Sequence, residues 1–187
     1  MSGWERRLLD VFDDLEQQAE GLALAERDAR VADLARAEYG EVDLLSRLHA
    51  GVGRLLTLSV IGLGRLRGTA ARVGADWLMV DDGVHEWLVR LAALEEVRGL
   101  PDRAVGTQGR AVTARLGLGS VLRSVAADAV PVVVHGTTGR VQRARLGRVG
   151  ADFVELDTAD ADASGGDLPD PGPTVVPWGV IAAVRRA

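Results

Sequence analysis

The chain has 187 residues, 47% of them apolar, and a formal net charge of −5, which is enough for one ordinary domain or two small ones with a buried core. It has no cysteine, and all 22 basic residues are arginine. Disulfides, thiolate chemistry, cysteine-based zinc sites, a Schiff-base lysine and a P-loop lysine are therefore excluded.

Residues 4–37 carry Trp4, Leu8, Val11, Leu15 and Leu22 at a 4-3-4-7 spacing, widened by Leu9, Phe12 and Ala19. This is the stripe of an amphipathic helix, and a break or kink is expected at Gly21. Two similar stretches follow. The first opens with a short helix around Val42–Ala50, and the second with a helix around Leu116–Asp128. Each helix leads into β-branched or leucine-rich sequence, Leu55–Ile61 and Val130–Val134, and then into a Gly-Arg pair, Gly64-Arg65 and Gly139-Arg140. Each then reaches the same string, Arg72-Val73-Gly74-Ala75-Asp76 and Arg148-Val149-Gly150-Ala151-Asp152.

The parallel continues through Trp77–Asp81 and Phe153–Asp157, and ends on Leu94–Arg98 and Ile181–Arg185. The extra residues of the second stretch fall in the loop 158–173, where an insertion between two copies of one unit is best tolerated. Each stretch reads as a helix and five short strands, with glycines at the bends of a curved sheet or small barrel. The shared string is expected to be a turn between two strands, with glycine for the backbone and aspartate to cap the turn.

The expected organisation is an N-terminal amphipathic helical segment over 1–40, a first unit over 41–100, a linker over 101–115 and a second unit over 116–187, with an acidic loop at 157–173. Charge is uneven along it. Residues 1–50 hold 12 acids and 6 bases, residues 51–150 hold 8 and 14, and residues 151–187 hold 7 and 2. A basic middle suits phosphate backbones, and acidic ends folded against it would cancel it. Arg65 and Arg67 share one strand face by their period of two, as do Arg143 and Arg145, with Arg140 and Arg148 nearby.

The order of these features resembles the Sm-like (LSm) fold: helix, five bent strands, Gly-x-Asp-aromatic-apolar, and a last strand ending in apolar-Arg. Val97-Arg98-Gly99-Leu100 is similar to the second Sm motif, whereas Val184-Arg185-Arg186 keeps the arginine and lacks the glycine. The layout is also similar to actinobacterial proteins with such units in tandem. The resemblance implies a mainly β fold with helices, made of two tandem Sm-like units after an N-terminal helix. It also implies binding of RNA or a ribonucleoprotein, with Arg65, Arg67, Arg98, Gly99, Arg143, Arg145 and Arg148 as the nucleic-acid contacts. The usual Sm uridine pocket uses an asparagine, and this chain has none; Trp77 and Phe153 could stack on bases, although an aromatic in this position more often fills the core of a small barrel.

Other chemistry finds little support. Asp160-Ala161-Asp162-Ala163-Ser164-Gly165 matches the opening of an EF-hand loop, but Pro171 stands where the bidentate glutamate belongs. Gly62-Leu63-Gly64-Arg65-Leu66-Arg67-Gly68 is one residue too long for a dinucleotide fingerprint. His49, His85 and His135 form no metal-spacing pair, and no serine sits in a nucleophile elbow. No catalytic residue, metal or cofactor is expected.

No stretch approaches the roughly 18 apolar residues of a membrane span, and the charged start Met1–Arg7 lacks a signal peptide's apolar run. A cytoplasmic binding module is therefore expected, without membrane contact. The alternatives are an assembly scaffold, self-associating or taking a protein partner through the Trp4–Leu22 helix and the barrel edge strands, and a PRC-like regulatory barrel.

Overall fold

The computed structural model describes residues 3–106, 112–158 and 172–187. The Asp160–Gly165 string and most of the acidic loop lie outside the described residues, as do residues 107–111 of the linker and the side chains of Trp4, Leu8, Val11 and Leu15. The chain divides into two compact units, residues 1–42 and residues 43–187.

The first unit is one helix, α1, Gly3–Gly40, 38 residues long. At 1.5 Å per residue it spans about 57 Å. It runs through Gly21, where a break was expected. A lone glycine in a helix costs about 1 kcal/mol, and the surrounding Ala, Leu, Glu and Arg are strong helix formers that offset it. Leu22, Leu24, Val31, Leu34 and Tyr39 are all exposed. No helix among the described residues is long and apolar enough to cross a membrane.

The second unit is mainly β. It contains α2 (Leu44–Ala50), β1 (Leu55–Val60), β2 (Gly64–Val73), β3 (Trp77–Asp81), β4 (Glu86–Arg90) and β5 (Leu94–Arg98). After the linker come α3 (Leu118–Ala127), β6 (Pro131–Gly136), β7 (Val141–Val149), β8 (Phe153–Asp157), β9 (Thr174–Pro177) and β10 (Ile181–Arg186). All ten strands form one antiparallel sheet in the order β5-β1-β2-β3-β4-β10-β6-β7-β8-β9. A curved sheet or small barrel was expected for each stretch; no barrel closes, and the single sheet is open and ends on β5 and β9. The strand that would complete the second stretch, β10, is shared, pairing with β6 on one side and β4 on the other.

The two halves of this sheet match in detail. Residues 55–98 give the order β5-β1-β2-β3-β4, and residues 131–186 give β10-β6-β7-β8-β9. A bulge falls between Ala70 and Arg72 in β2 and between Leu146 and Val149 in β7. The Gly74 N–H donates to the Trp77 carbonyl and the Gly150 N–H to the Phe153 carbonyl, each at 2.9 Å. Leu91 N–H donates to the Asp76 carbonyl and Trp178 N–H to the Asp152 carbonyl, at 2.9 and 2.8 Å.

Each half buries its own core. One contains Leu48, Leu56, Leu58, Leu66, Leu78 and Val80, and the other Leu118, Leu122, Val132, Leu146, Val154 and Leu156. The seam strands serve both. Trp87, Val89 and Ala183 belong to the first core, while Leu88 and Val184 belong to the second. Four successive residues of β10, Ile181–Val184, are therefore buried, as a strand covered on both faces requires.

Candidate functional site

Four of the expected contacts come together. Across β5, β1 and β2, Thr57 stands opposite both Arg98 and Arg67, and Ser59 opposite both Glu96 and Arg65. Directly opposed residues share a sheet face, so the register builds two rows, Arg98–Thr57–Arg67 and Glu96–Ser59–Arg65. The intervening Leu56, Leu58 and Val60 are buried on the other face, which leaves these rows facing outward. Leu55, Thr57, Arg65, Arg67, Arg98 and Gly99 line a shallow depression of about 370 Å³. Gly99 has φ +94°, and a side chain there would meet the Leu55 carbonyl oxygen at 2.8 Å, so glycine is what lets β5 close onto β1.

The three guanidinium groups differ in availability. Arg98 pairs with Glu96, which lowers the Glu96 pKa and raises that of Arg98. The Ser59 hydroxyl donates to Glu95 at 2.8 Å. Arg65 adds a smaller electrostatic contribution at Glu96. Arg67 is exposed and has no ion pair or hydrogen bond among the described residues.

The second half does not reproduce this face. Arg143 stands on β7 opposite Val133, and Val133 stands opposite Arg185, giving a row Arg185–Val133–Arg143 with valine in place of threonine. Arg185 lies over the Trp87 ring, 5.5 Å from its centroid, a cation–π arrangement. Arg145 stands opposite Asp157. Arg148 is committed to Glu155 through two hydrogen bonds of 2.9 Å, which raise its pKa and lower that of Glu155.

The shared strings do form turns between strands, but the first is occupied. Leu116 O accepts from the Ala75 N–H at 3.2 Å and from the Trp77 indole N–H at 2.8 Å. The Asp76 carboxylate accepts from the Leu118 N–H at 2.6 Å. Helix α3 begins after Gly117, which has no side chain to cap it; Asp76, from the other half of the sheet, supplies the missing acceptor. The aspartate expected to cap its own turn thus caps a helix 42 residues away. Trp77 is only 5% exposed, so it fills the core and is not an exposed stacking platform. Phe153 is half-buried, and its ring covers Gly150.

Sequence reasoning missed the residues that join the halves. Arg90 donates to the carbonyls of Ile181 and Gly179, each at 2.7 Å. The Trp87 indole donates to Asp82 at 2.7 Å, and its ring lies 5.2 Å from that of His135. The His85 N–H, the Trp87 indole and the Val84 N–H together hold the Asp82 carboxyl down to about 2. Burial, and then the charge of Arg185, lower the His135 pKa. The available signal was the unbroken apolar run Ile181–Val184, which stands where the first stretch has Leu94-Glu95-Glu96-Val97.

No protein-family model, curated protein or solved structure matches the chain.

Proposed function

We propose that the protein is a non-enzymatic binding module of two tandem Sm-like units that takes single-stranded RNA on the outer face of β5, β1 and β2. The matching strand orders, bulges and turn hydrogen bonds support two copies of one unit. The observation that carries the RNA reading is the row Arg98–Thr57–Arg67, with Arg65 beside it. It presents guanidinium forks along one exposed face, and Arg67 there has no acidic partner among the described residues. Such forks suit phosphate oxygens, and Thr57 adds a hydroxyl between two of them. Arg143 extends the reading to β7, whereas Arg148 is held by Glu155 and contributes little.

The test is anisotropy of a labelled oligouridine with the full chain at increasing salt. With about three phosphate contacts to a single strand, affinity falls by about twentyfold between about 50 and 200 mM salt. The double substitution Arg65→Glu/Arg67→Glu abolishes binding, and Arg148→Ala changes it by less than about twofold. Binding that survives the double substitution refutes this face as the site.

A second reading, an assembly scaffold, is favoured by one observation. The pairing of β4 with β10 is an edge-to-edge joint, and β5 and β9 each have one strand neighbour. Against it, the free edges lack the joint's devices. Glu95 and Glu96 stand where β10 has Ala182 and Ala183, and Pro177 stands where β4 has Arg90. Charge and proline on an edge discourage strand addition. Light scattering separates the readings: a concentration-independent monomer favours RNA binding, and a defined higher oligomer favours the scaffold.

A further inference from the structure

Helix α3, strands β2 and β3, the end of α2 and the linker enclose a groove of about 640 Å³. This lies within the range of about 300–1,000 Å³ usual for small-molecule sites. Its buried floor is apolar, with Val73 and Trp77 from the first half and Ala114 from the linker. Val121 and Val125 of α3 form the facing wall. Trp77 cannot swing out to fill the space, because its indole N–H is bound to Leu116 O. The Trp77–Leu116 contact that joins the two halves therefore keeps this surface groove open.

The groove has no carboxylate among its lining residues. Its polar lining includes His49 at the end of α2, and its one permanent cation is Arg72, which is exposed. Arg72 has no ion pair or hydrogen bond among the described residues. Ser120 and Ser124 contribute hydroxyls from α3. An apolar trough ending on a single guanidinium suits a ligand with an apolar body and one carboxylate, which an arginine fork meets through two parallel hydrogen bonds.

We propose that this groove binds a free, chain-like monocarboxylate of the medium-chain fatty-acid class, with its chain along Trp77, Val73 and Val121 and its carboxylate on Arg72. The site is independent of the arginine rows on β5, β1 and β2.

Calorimetric titration of the full chain with decanoate, below its micellar concentration, tests this, with decanol as the uncharged control. The expected result is saturable binding of decanoate at one site, with decanol weaker by about tenfold, the factor expected for one charge-assisted contact. Arg72→Gln, a change at an exposed position, weakens decanoate to the level of decanol and leaves decanol unchanged. Ser124→Trp, an exposed helix position at the mouth, blocks both ligands while circular dichroism stays unchanged. The proposal is overturned if decanoate does not saturate, if Arg72→Gln leaves its affinity intact, or if Ser124→Trp leaves both ligands bound.

Discussion

At the scale of single residues, the shared Arg-Val-Gly-Ala-Asp string owes its glycine to space. A side chain at Gly74 would sit 2.1 Å from the Trp77 indole nitrogen, and one at Gly150 would sit 2.4 Å from the Phe153 ring. Neither glycine has positive φ among the described residues, so the backbone freedom expected of them is not what they supply. The aromatic ring three residues on lies against the glycine, and any Cβ would displace it. Gly74→Ala is expected to cost about 2–3 kcal/mol by forcing a pinned, buried ring outward. Gly150→Ala is expected to cost about 1 kcal/mol, because the half-buried Phe153 ring has no hydrogen bond to lose. Urea denaturation of the two variants measures both, and equal losses would contradict the ring-over-glycine account. The string was legible as a repeat and as a turn. Its steric purpose was not, because the contact depends on where a ring folds back rather than on a spacing or a residue type.

At the scale of elements, the helices and most strands were legible because apolar spacing is local information. The stripe from Trp4 predicted α1, and the i, i+3, i+4, i+7 pattern of Leu118, Val121, Leu122 and Val125 predicted α3. The uninterrupted run through Gly21 was not legible, since helix propensity summed over a long segment outweighs one unfavourable residue. What holds the start of α3 was also hidden, because its capping group comes from the other half of the sheet. Asp76→Ala should therefore lower stability by about 1–2 kcal/mol, the value of a lost N-cap. Asp152→Ala, at the matching position of the second string, should stay within about 0.5 kcal/mol, as exposed substitutions do. Chemical denaturation distinguishes them. A loss at Asp152 equal to that at Asp76 would mean that the carboxylate acts within its own turn and not on the helix.

At the scale of the whole β-rich unit, the arginine face was legible in part. The period of two placed Arg65 and Arg67 together, but only the register of β1 with both β2 and β5 brings Arg98 and Gly99 beside them. Pairing between distant strands leaves no local trace; the seam left only the apolar run Ile181–Val184, which marks a strand covered on both faces and does not name its neighbours. That seam decides how the unit unfolds. β4 and β10 are buried on both faces and serve both cores: Trp87, Val89, Ala182 and Ala183 belong to the first, Leu88, Ile181 and Val184 to the second. Arg90 ties β4 to two carbonyls around β10, and Asp76 caps α3 across the joint. Neither half can open its edge without exposing Trp87, Leu88 and Val89, which the partner half covers. The halves should therefore unfold together. Far-ultraviolet circular dichroism and tryptophan fluorescence should give coincident single transitions in urea, the signature of a cooperative unit. A chain ended at residue 106 would keep β1–β5 but bare the apolar edge of β4, and light scattering should find it associated where the full chain is not. Two separated transitions, or a soluble monomeric fragment, would show that each half folds alone and that the seam is a contact between finished domains.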